Sequence, residues 1–348
     1  MDLGMTTLVL NCGSSSVKYA LFSGDEVLRR NQIDHPDGVR AALDQITDRP
    51  AAVGHRIVHG GPTHSRPVRI DDAVLASLHE AIPFAPLHLP IELAAIEVVK
   101  QRFGEIPQVA CFDTAFHQHM PEVARRFALP EVLFAAGVRR YGFHGLSYEY
   151  VASVITTRPR AVYAHLGNGA SMVAVRDGNS IDTTMGFTPT GGLVMGTRSG
   201  DLDPGVLLYL LGRGYDPRAL AKLVDHEAGL LALSGTTADM RSLLAARATD
   251  PRAQLAVDVF CYHAKKALGG FVAVLGGLDM LVFTGGIGES AAYVRREICA
   301  GLGGFGIELD HDRNATNAPL ISQGVCEVRV IVADEESVIA RQTRGLVH

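Results

Sequence analysis

The chain has 348 residues, 47% apolar and 20% charged, with a formal net charge of −5 and both signs interspersed. This balance excludes a mostly disordered chain, 37 glycines without a three-residue period exclude collagen, and the lack of a basic stripe argues against nucleic-acid binding. With no Trp and only 6% aromatic residues, the core is expected to be aliphatic, spread over two domains or one large α/β unit.

In chain order, Thr7–Leu10 is a short apolar run closed by the polar cluster NCGSSS. Val17–Phe22 follows at once, and the turn at Gly24–Asp25 leads to Val27–Leu28, which together read as a β-meander. A helix is expected over Asp37–Ile46, a strand over Ala51–Val58, and helices over Asp71–Ala81 and Pro90–Phe103, the last with Pro in its first turn. Strand Gln108–Phe112 ends at Asp113, and helix Leu146–Thr156 follows a GFHG turn with Ser147 as its cap. The opening plan then recurs: Ala161–Leu166, the turn GNGAS, Met172–Val175 and the hairpin turn DGNS. A repeat this long and this far apart predicts duplicated domains. Helices Val206–Gly212, Pro217–Val224 and Pro251–Val274 come next, then strand Met280–Thr284, the GGIGES turn and helix Ala291–Leu302. Strand Val328–Val332 runs into ADEE and a final helix over Ser337–Gly345. Strands mixed with helices give an α/β class, and the antiparallel start argues against a pure Rossmann sheet. The predicted division places 1–114 with 337–348 in the first domain and 115–336 in the second.

Cysteines 12, 111, 261, 299 and 326 are odd in number and form no C-x-x-C pair, so neither a disulfide framework nor a zinc site is expected. An acid at Asp2 and no basic n-region argue against a signal peptide, and no apolar run approaches a bilayer span. A soluble, cytoplasmic protein is the expectation.

Several segments can carry chemistry. NCGSSSVK offers backbone amides, hydroxyls and one cation to phosphate oxygens, though it lacks the Walker A spacing and also reads as a serine-rich turn. Arg56 ends an apolar strand, where it can fork onto a carboxylate or phosphate or form a structural ion pair. His55 and His59 share an i, i+4 spacing but sit in a strand pattern with no following acid, which disfavours zinc. Asp113 lies at the C-terminal end of a strand, where α/β sheets collect ligands; a lone carboxylate there suits Mg²⁺ or a helix cap. His144 and His165 stand beside Gly turns, and HLGNGAS duplicates the first phosphate-type turn. Gly186–Gly205 is a long Gly-rich loop carrying Arg198, with Phe187, Leu193, Val194 and Met195 arguing that it is packed. VFTGGIGES lets backbone approach a nucleotide without meeting the dinucleotide fingerprint, and Glu335 and Glu336 supply acids at a strand end or a helix start.

Nine motifs in order, NCGSSSVKY, GHRIVHGG, FAPLHLP, CFDTAFH, YGFHG, HLGNGAS, MGFTPTGGLVMGTRSGDLDP, VFTGGIGES and ADEES, resemble the acetate kinase (acetokinase) family across nearly the whole chain. The resemblance implies two duplicated ribonuclease-H-like domains around a central cleft, the fold of the actin, Hsp70 and sugar kinase superfamily. It implies reversible, Mg-ATP-dependent transfer of the γ-phosphoryl group to acetate, giving acetyl phosphate and ADP, with Mn²⁺ as an alternative metal and a homodimer as the assembly. Carried over, Asn11, Ser14, Ser16 and Lys18 lie at the ATP phosphates, with His165, Asn168 and Gly169 nearby. Asn11, Asp113 and Glu335 organise the metal. Arg56 and Arg198 hold the carboxylate and the phosphoryl in flight, and His144 donates to its equatorial oxygens. His88 is a supporting active-site histidine, and Val58, Leu87, Phe143 and Pro189 line a methyl pocket. Asp239, Met240 and Arg241 flank the adenosine, with Gly286, Ile287 and Gly288 close to it. The chain departs from the family pattern in three places: it is short between Phe22 and Ala51, Cys12 replaces a common Ala, and Asp334 replaces a common Asn.

Three alternatives are open on the residues. A propionate or short-chain acyl kinase shares every motif. An actin- or Hsp70-like ATP switch needs the phosphate turns but not Arg56, His144 and Arg198. A sugar kinase needs an Asp base for its alcohol, which a carboxylate nucleophile does not.

Overall fold

The computed structural model describes residues 5–13, 17–34, 38–156 and 158–347. They form two compact units, one of Met1–Gln118, Phe143–Ser153 and Asp334–His348, the other of His119–Gly142 and Val154–Ala333.

The first unit is built on β1 (Thr6–Cys12), β2 (Val17–Ser23), β3 (Glu26–Ile33), β4 (Ala52–Ile57), β5 (Val68–Arg69) and β6 (Gln108–Phe112). Their spatial order is β3-β2-β1-β4-β6-β5. The first three are antiparallel neighbours, while β1, β4 and β6 run parallel. Alternation along β1 sends Leu8, Leu10 and Cys12 to one face, against Leu43 and the Leu89–Phe103 helix. Val9 goes to the other face, against Leu146 and the final helix, Glu335–Val347. Helices therefore cover both faces. Gly54 on β4 lets the final helix come close: a Cβ there would strike the Thr343 hydroxyl and the Ile339 side chain.

The second unit repeats the plan with β7 (Arg160–Leu166), β8 (Ala170–Arg176), β9 (Asn179–Thr183), β10 (Met280–Thr284) and β11 (Glu327–Val330), ordered β11-β10-β7-β8-β9. Again a hairpin pair is antiparallel and two strands follow in parallel on the other side of the first. The duplication read from the two polar turns is thus matched by five strands in each sheet, with the short β5 the first sheet's addition. The β8–β9 hairpin turns at Asp177 and Gly178, both at positive φ, as an Asp-Gly hairpin turn requires.

Several local expectations shift. Ser147 does not cap its helix; the helix is Gly145–Val154 and Ser147 is buried inside its first turn. GGIGES is not an open turn but the helix Gly285–Ser290, and the next helix is Ala292–Cys299 because Ala291 takes φ −98°, ψ 79°. The final helix starts at Glu335 rather than Ser337, since Asp334 caps it through the Ser337 amide at 3.2 Å. Helices Gly229–Ser234 and Met240–Ala246 were not anticipated. All five cysteines are buried and free. Among the described residues, no helix is long and apolar enough to cross a membrane.

Candidate active site

In the first unit the parallel strands β1, β4 and β6 deliver Asn11, Arg56 and Asp113 to one sheet edge, the C-terminal edge where such sheets bind ligands. Arg56 Nε and Nη2 donate to Asp113 Oδ2 at 3.0 and 2.5 Å. Asp113 Oδ1 is buried and has no hydrogen-bond partner. Asn11 Nδ2 donates to Glu335 Oε2 at 3.1 Å and to Glu336 Oε1 at 3.2 Å, tying the end of β1 to the first turn of the final helix. Glu335 and Glu336 thus open a helix, and they meet the end of β1 through Asn11. Lys18 is an exposed residue of β2 opposite Asn11, and Ser14 and Ser16 lie outside the described residues.

Burial opposes the Arg56 charge, but the Asp113 and Glu335 carboxylates, joined by Glu92 when it is ionised, outweigh it and hold the guanidinium above its ordinary value. Burial pushes the Asp113 carboxyl up to about 6; Arg56 pulls it down and the Glu335 charge pushes it up. Glu92 was missed from the sequence. It lies in the first turn of the Leu89–Phe103 helix and is 1% exposed, with Oε2 accepting the Val58 amide at 2.9 Å. That bond ties the turn after β4 to the helix that Leu87 and His88 lead into, His88 being its N-cap residue.

Phe143 is buried, its ring 5.6 Å from that of His59 and its carbonyl 3.1 Å from His117 Nε2. His144 next to it holds φ +58°, a left-handed conformation that side chains other than Gly rarely keep. The Gly145 amide donates to the Asp113 carbonyl at 2.8 Å, so this strained corner is pinned to the end of β6. His55 bonds Gln108 at 2.7 Å, and burial lowers its pKa to about 4, so it is a neutral core histidine.

In the second unit, β7 and β10 end side by side, with His165 in register with Thr284. Beyond them opens a cavity of about 670 Å³ lined by Gly167, Asn168, Thr237 to Arg241, Leu244, Gly286, Ile287, Ser290 and Ala291. Asp239, Met240, Arg241, Gly286 and Ile287 are thus gathered on one wall system, whereas Gly288 is buried against β10 and β7. Gly285 keeps φ +75° with Leu166 backbone where a Cβ would go, which lets the helix start at the strand end. Asp239 caps the Met240–Ala246 helix through the Ser242 amide at 2.9 Å.

The long loop is packed, with Leu193, Val194 and Met195 buried. The Gly196 amide donates to the Asn168 carbonyl at 3.0 Å, so the loop docks on the turn that also carries Gly169. Arg198 Nη1 points to the Pro189 carbonyl at 3.3 Å. A second residue missed from the sequence is Arg295, fully buried, whose guanidinium binds the carbonyls of Gly288 and Glu289 and both Asn314 and Asn317. It braces the helix Gly285–Ser290 from behind.

Among the described residues no three His, Cys, Asp or Glu side chains gather as a metal cage. Mg²⁺ needs only one or two carboxylates beside waters and phosphates, and the unpartnered Asp113 oxygen fits that demand.

A sequence profile described as the acetokinase family matches residues 26–341. The acetate kinase of Thermosynechococcus vestitus is 42% identical over 371 residues, covering 89% of each chain. That of Nitrobacter hamburgensis is 43% identical over 387 residues, covering 97% of this chain and 95% of its own. These alignments span more positions than the chain has residues, so the relatives carry segments it lacks. Among solved structures, a propionate kinase from Francisella tularensis matches with a TM-score of 0.91 at 36% identity, covering 98% of this chain and 100% of its own. The Porphyromonas gingivalis acetate kinase matches at 0.89 and 36% identity, covering 99% and 100%. A putative N-acetylmannosamine kinase from Listeria monocytogenes, at 0.50 and 11% identity over 98% and 99% of the two chains, shares the fold alone.

Proposed function

The chain belongs to the acetokinase family of carboxyl-directed phosphotransferases, and from that premise we propose that it transfers the γ-phosphoryl group of ATP to acetate, reversibly. A carboxylate oxygen attacks the γ-phosphorus as the bond to the β–γ bridging oxygen breaks, leaving acetyl phosphate and ADP. Acetate is already ionised at pH 7, so no general base is needed. The task is to align two anions and neutralise their charge. The observation that carries the reading is the buried Arg56–Asp113 pair at the β4–β6 edge, a cation and an acid with one open oxygen in a family of carboxyl kinases.

In this reading the second unit's cavity takes the nucleoside between Asp239, Met240, Arg241 and the first turn of the Gly285–Ser290 helix at Gly286 and Ile287, with Gly288 packed behind them. Asn11, Ser14, Ser16, Lys18, His165, Asn168 and Gly169 serve the phosphates. Arg56 binds the carboxylate, Arg198 and His144 meet the charge of the transferring group, and His88 supports them. Val58, Leu87, Phe143 and Pro189 enclose the methyl group. Asp113 and Glu335, with Asn11, would hold Mg²⁺, which when bound offsets phosphate charge. The helix Pro204–Gly212 is apolar yet has no buried residue, with Leu208 69% and Tyr209 64% exposed, and we assign it to a homodimer contact. Five free cysteines accord with a cytoplasmic site of action.

The Francisella propionate kinase likeness favours a second reading, a short-chain acyl kinase that accepts propionate. One methylene is worth only ~1–3 kcal/mol of discrimination. Incubating the protein with Mg-ATP and either acid, and trapping the acyl phosphate with hydroxylamine, separates the two. Hydroxamate from neither acid sinks both readings.

A further inference from the structure

Glu92 is a buried acid beside the Arg56 edge that the proposed chemistry leaves unused. Its Oε2 has one donor, the Val58 amide at 2.9 Å, and its Oε1 is buried without a hydrogen-bond partner. Among the described residues it forms no ion pair. A buried carboxylate needs a cation or several donors to stay ionised. One neutral amide does not meet that need, so the protonated acid is the form that fits. Burial accordingly raises its pKa to about 8, against the pull of Arg56 and of the Val58 amide, with Asp113 pushing the same way as burial. The other titratable group that senses it, Cys12 on β1, is pushed up to about 12 by burial and stays neutral.

We propose that Glu92 is a positioning residue of the carboxylate site, a neutral acid that holds the Val58 backbone and leaves the Arg56 charge to the incoming carboxylate. The inference rests on the reading of Arg56 as the acetate-binding cation. Arg56 already spends two N–H groups on Asp113. With Asp113 and Glu335 already facing Arg56, an ionised Glu92 would add a further negative charge and repel an anionic substrate. Acetate therefore binds the protonated form better, and its affinity falls once Glu92 ionises. The proton stays on the enzyme throughout and enters no chemical step.

Steady-state kinetics of the full chain test this, with acetate and Mg-ATP varied separately at pH 7 and pH 9. For the wild type, the acetate KM is expected to rise at least about threefold between the two pH values. In Glu92→Gln, which accepts the same amide but cannot ionise, the acetate KM at pH 7 stays within about twofold of wild type and the rise disappears. In Glu92→Leu, which strands the Val58 amide, the acetate KM rises about tenfold while the ATP KM holds. A rise of equal size in wild type and Glu92→Gln overturns the proposal, as does a tenfold loss in Glu92→Gln at pH 7. A folded Glu92→Leu with wild-type acetate KM overturns the Val58 role; should that variant not fold, the Gln arm decides alone. Arg56→Gln separates the two layers. If it loses acetate affinity while Glu92→Gln keeps the wild-type pH profile, Glu92 alone is refuted. If its acetate KM is unchanged, the Arg56 reading falls first.

Discussion

Arg56 keeps its charge in a buried place because Asp113 answers it through two N–H groups on one oxygen. Such a pair gains little stability over an apolar replacement, so its value is in what the open Asp113 oxygen and the remaining guanidinium N–H groups can bind. Arg198 is the second cation of the proposed chemistry, set in a packed loop by its contact with the Pro189 carbonyl. Arg198→Ala is expected to lose at least ~10³ in turnover with the melting temperature unchanged, since a transition-state Arg is worth ~10³–10⁵. Near-wild-type turnover would take Arg198 out of the chemistry. Glu92 gives a stability prediction of definite sign. Its pKa rises from 4.5 to about 8 on folding, so above pH 4.5 the native state binds the extra proton and stability declines until pH 8. Glu92→Gln removes that decline, so its thermal stability relative to wild type should climb between pH 4.5 and 8 and then level off. A flat difference across that range would refute the buried neutral acid. Arg56 and Asp113 were legible as residues at strand ends within motifs. Glu92 and Arg295 were not: an acid in a first turn reads as a solvated partner of the helix dipole, and only packing removes the water.

At the scale of elements, the strands followed from short apolar runs and Gly-rich turns, and most fell within two residues of expectation. Helix ends moved because caps, not periodicity, set them. Asp334 shows this. It caps the final helix through the Ser337 amide and pairs with Arg30 at 2.6 Å. That helix carries Glu335 and Glu336 to Asn11, and Gly54 allows its close approach to β4. Gly54→Val should cost about 2 kcal/mol or more, read as a lower denaturation midpoint, through overpacking against Ile339 and Thr343. An unchanged midpoint would mean that the helix does not press on β4. Of the two short helices after the long loop that escaped the sequence reading, Met240–Ala246 is opened by the local cap Asp239, whereas Gly229–Ser234 is held by tertiary bonds. The Leu230 amide meets the Met195 carbonyl at 2.9 Å, and Gly229 keeps φ +63° with the Met195 and Arg198 backbones where a Cβ would go.

For the whole molecule, the apolar helix Pro204–Gly212 gives the remaining prediction. On the proposed homodimer contact, Leu208→Glu should leave each chain folded and give the monomer's mass in light scattering where the unsubstituted chain gives the dimer's. A variant that remains dimeric would move the contact elsewhere. Two turns of similar chemistry, NCGSSS and GNGAS, sufficed to announce a duplicated architecture, because each must join two antiparallel strands, whatever surrounds them. Local sequence thus determined most of the strands, the repeat and the strand-end residues of the candidate site, since turn chemistry and apolar period act over a few neighbours. Tertiary structure alone decided which acids lose their water, which arginine braces the Gly285–Ser290 helix and where the final helix meets β1. Those outcomes depend on burial and on partners hundreds of positions away, such as Asn11 with Glu335, and no short window of sequence contains them.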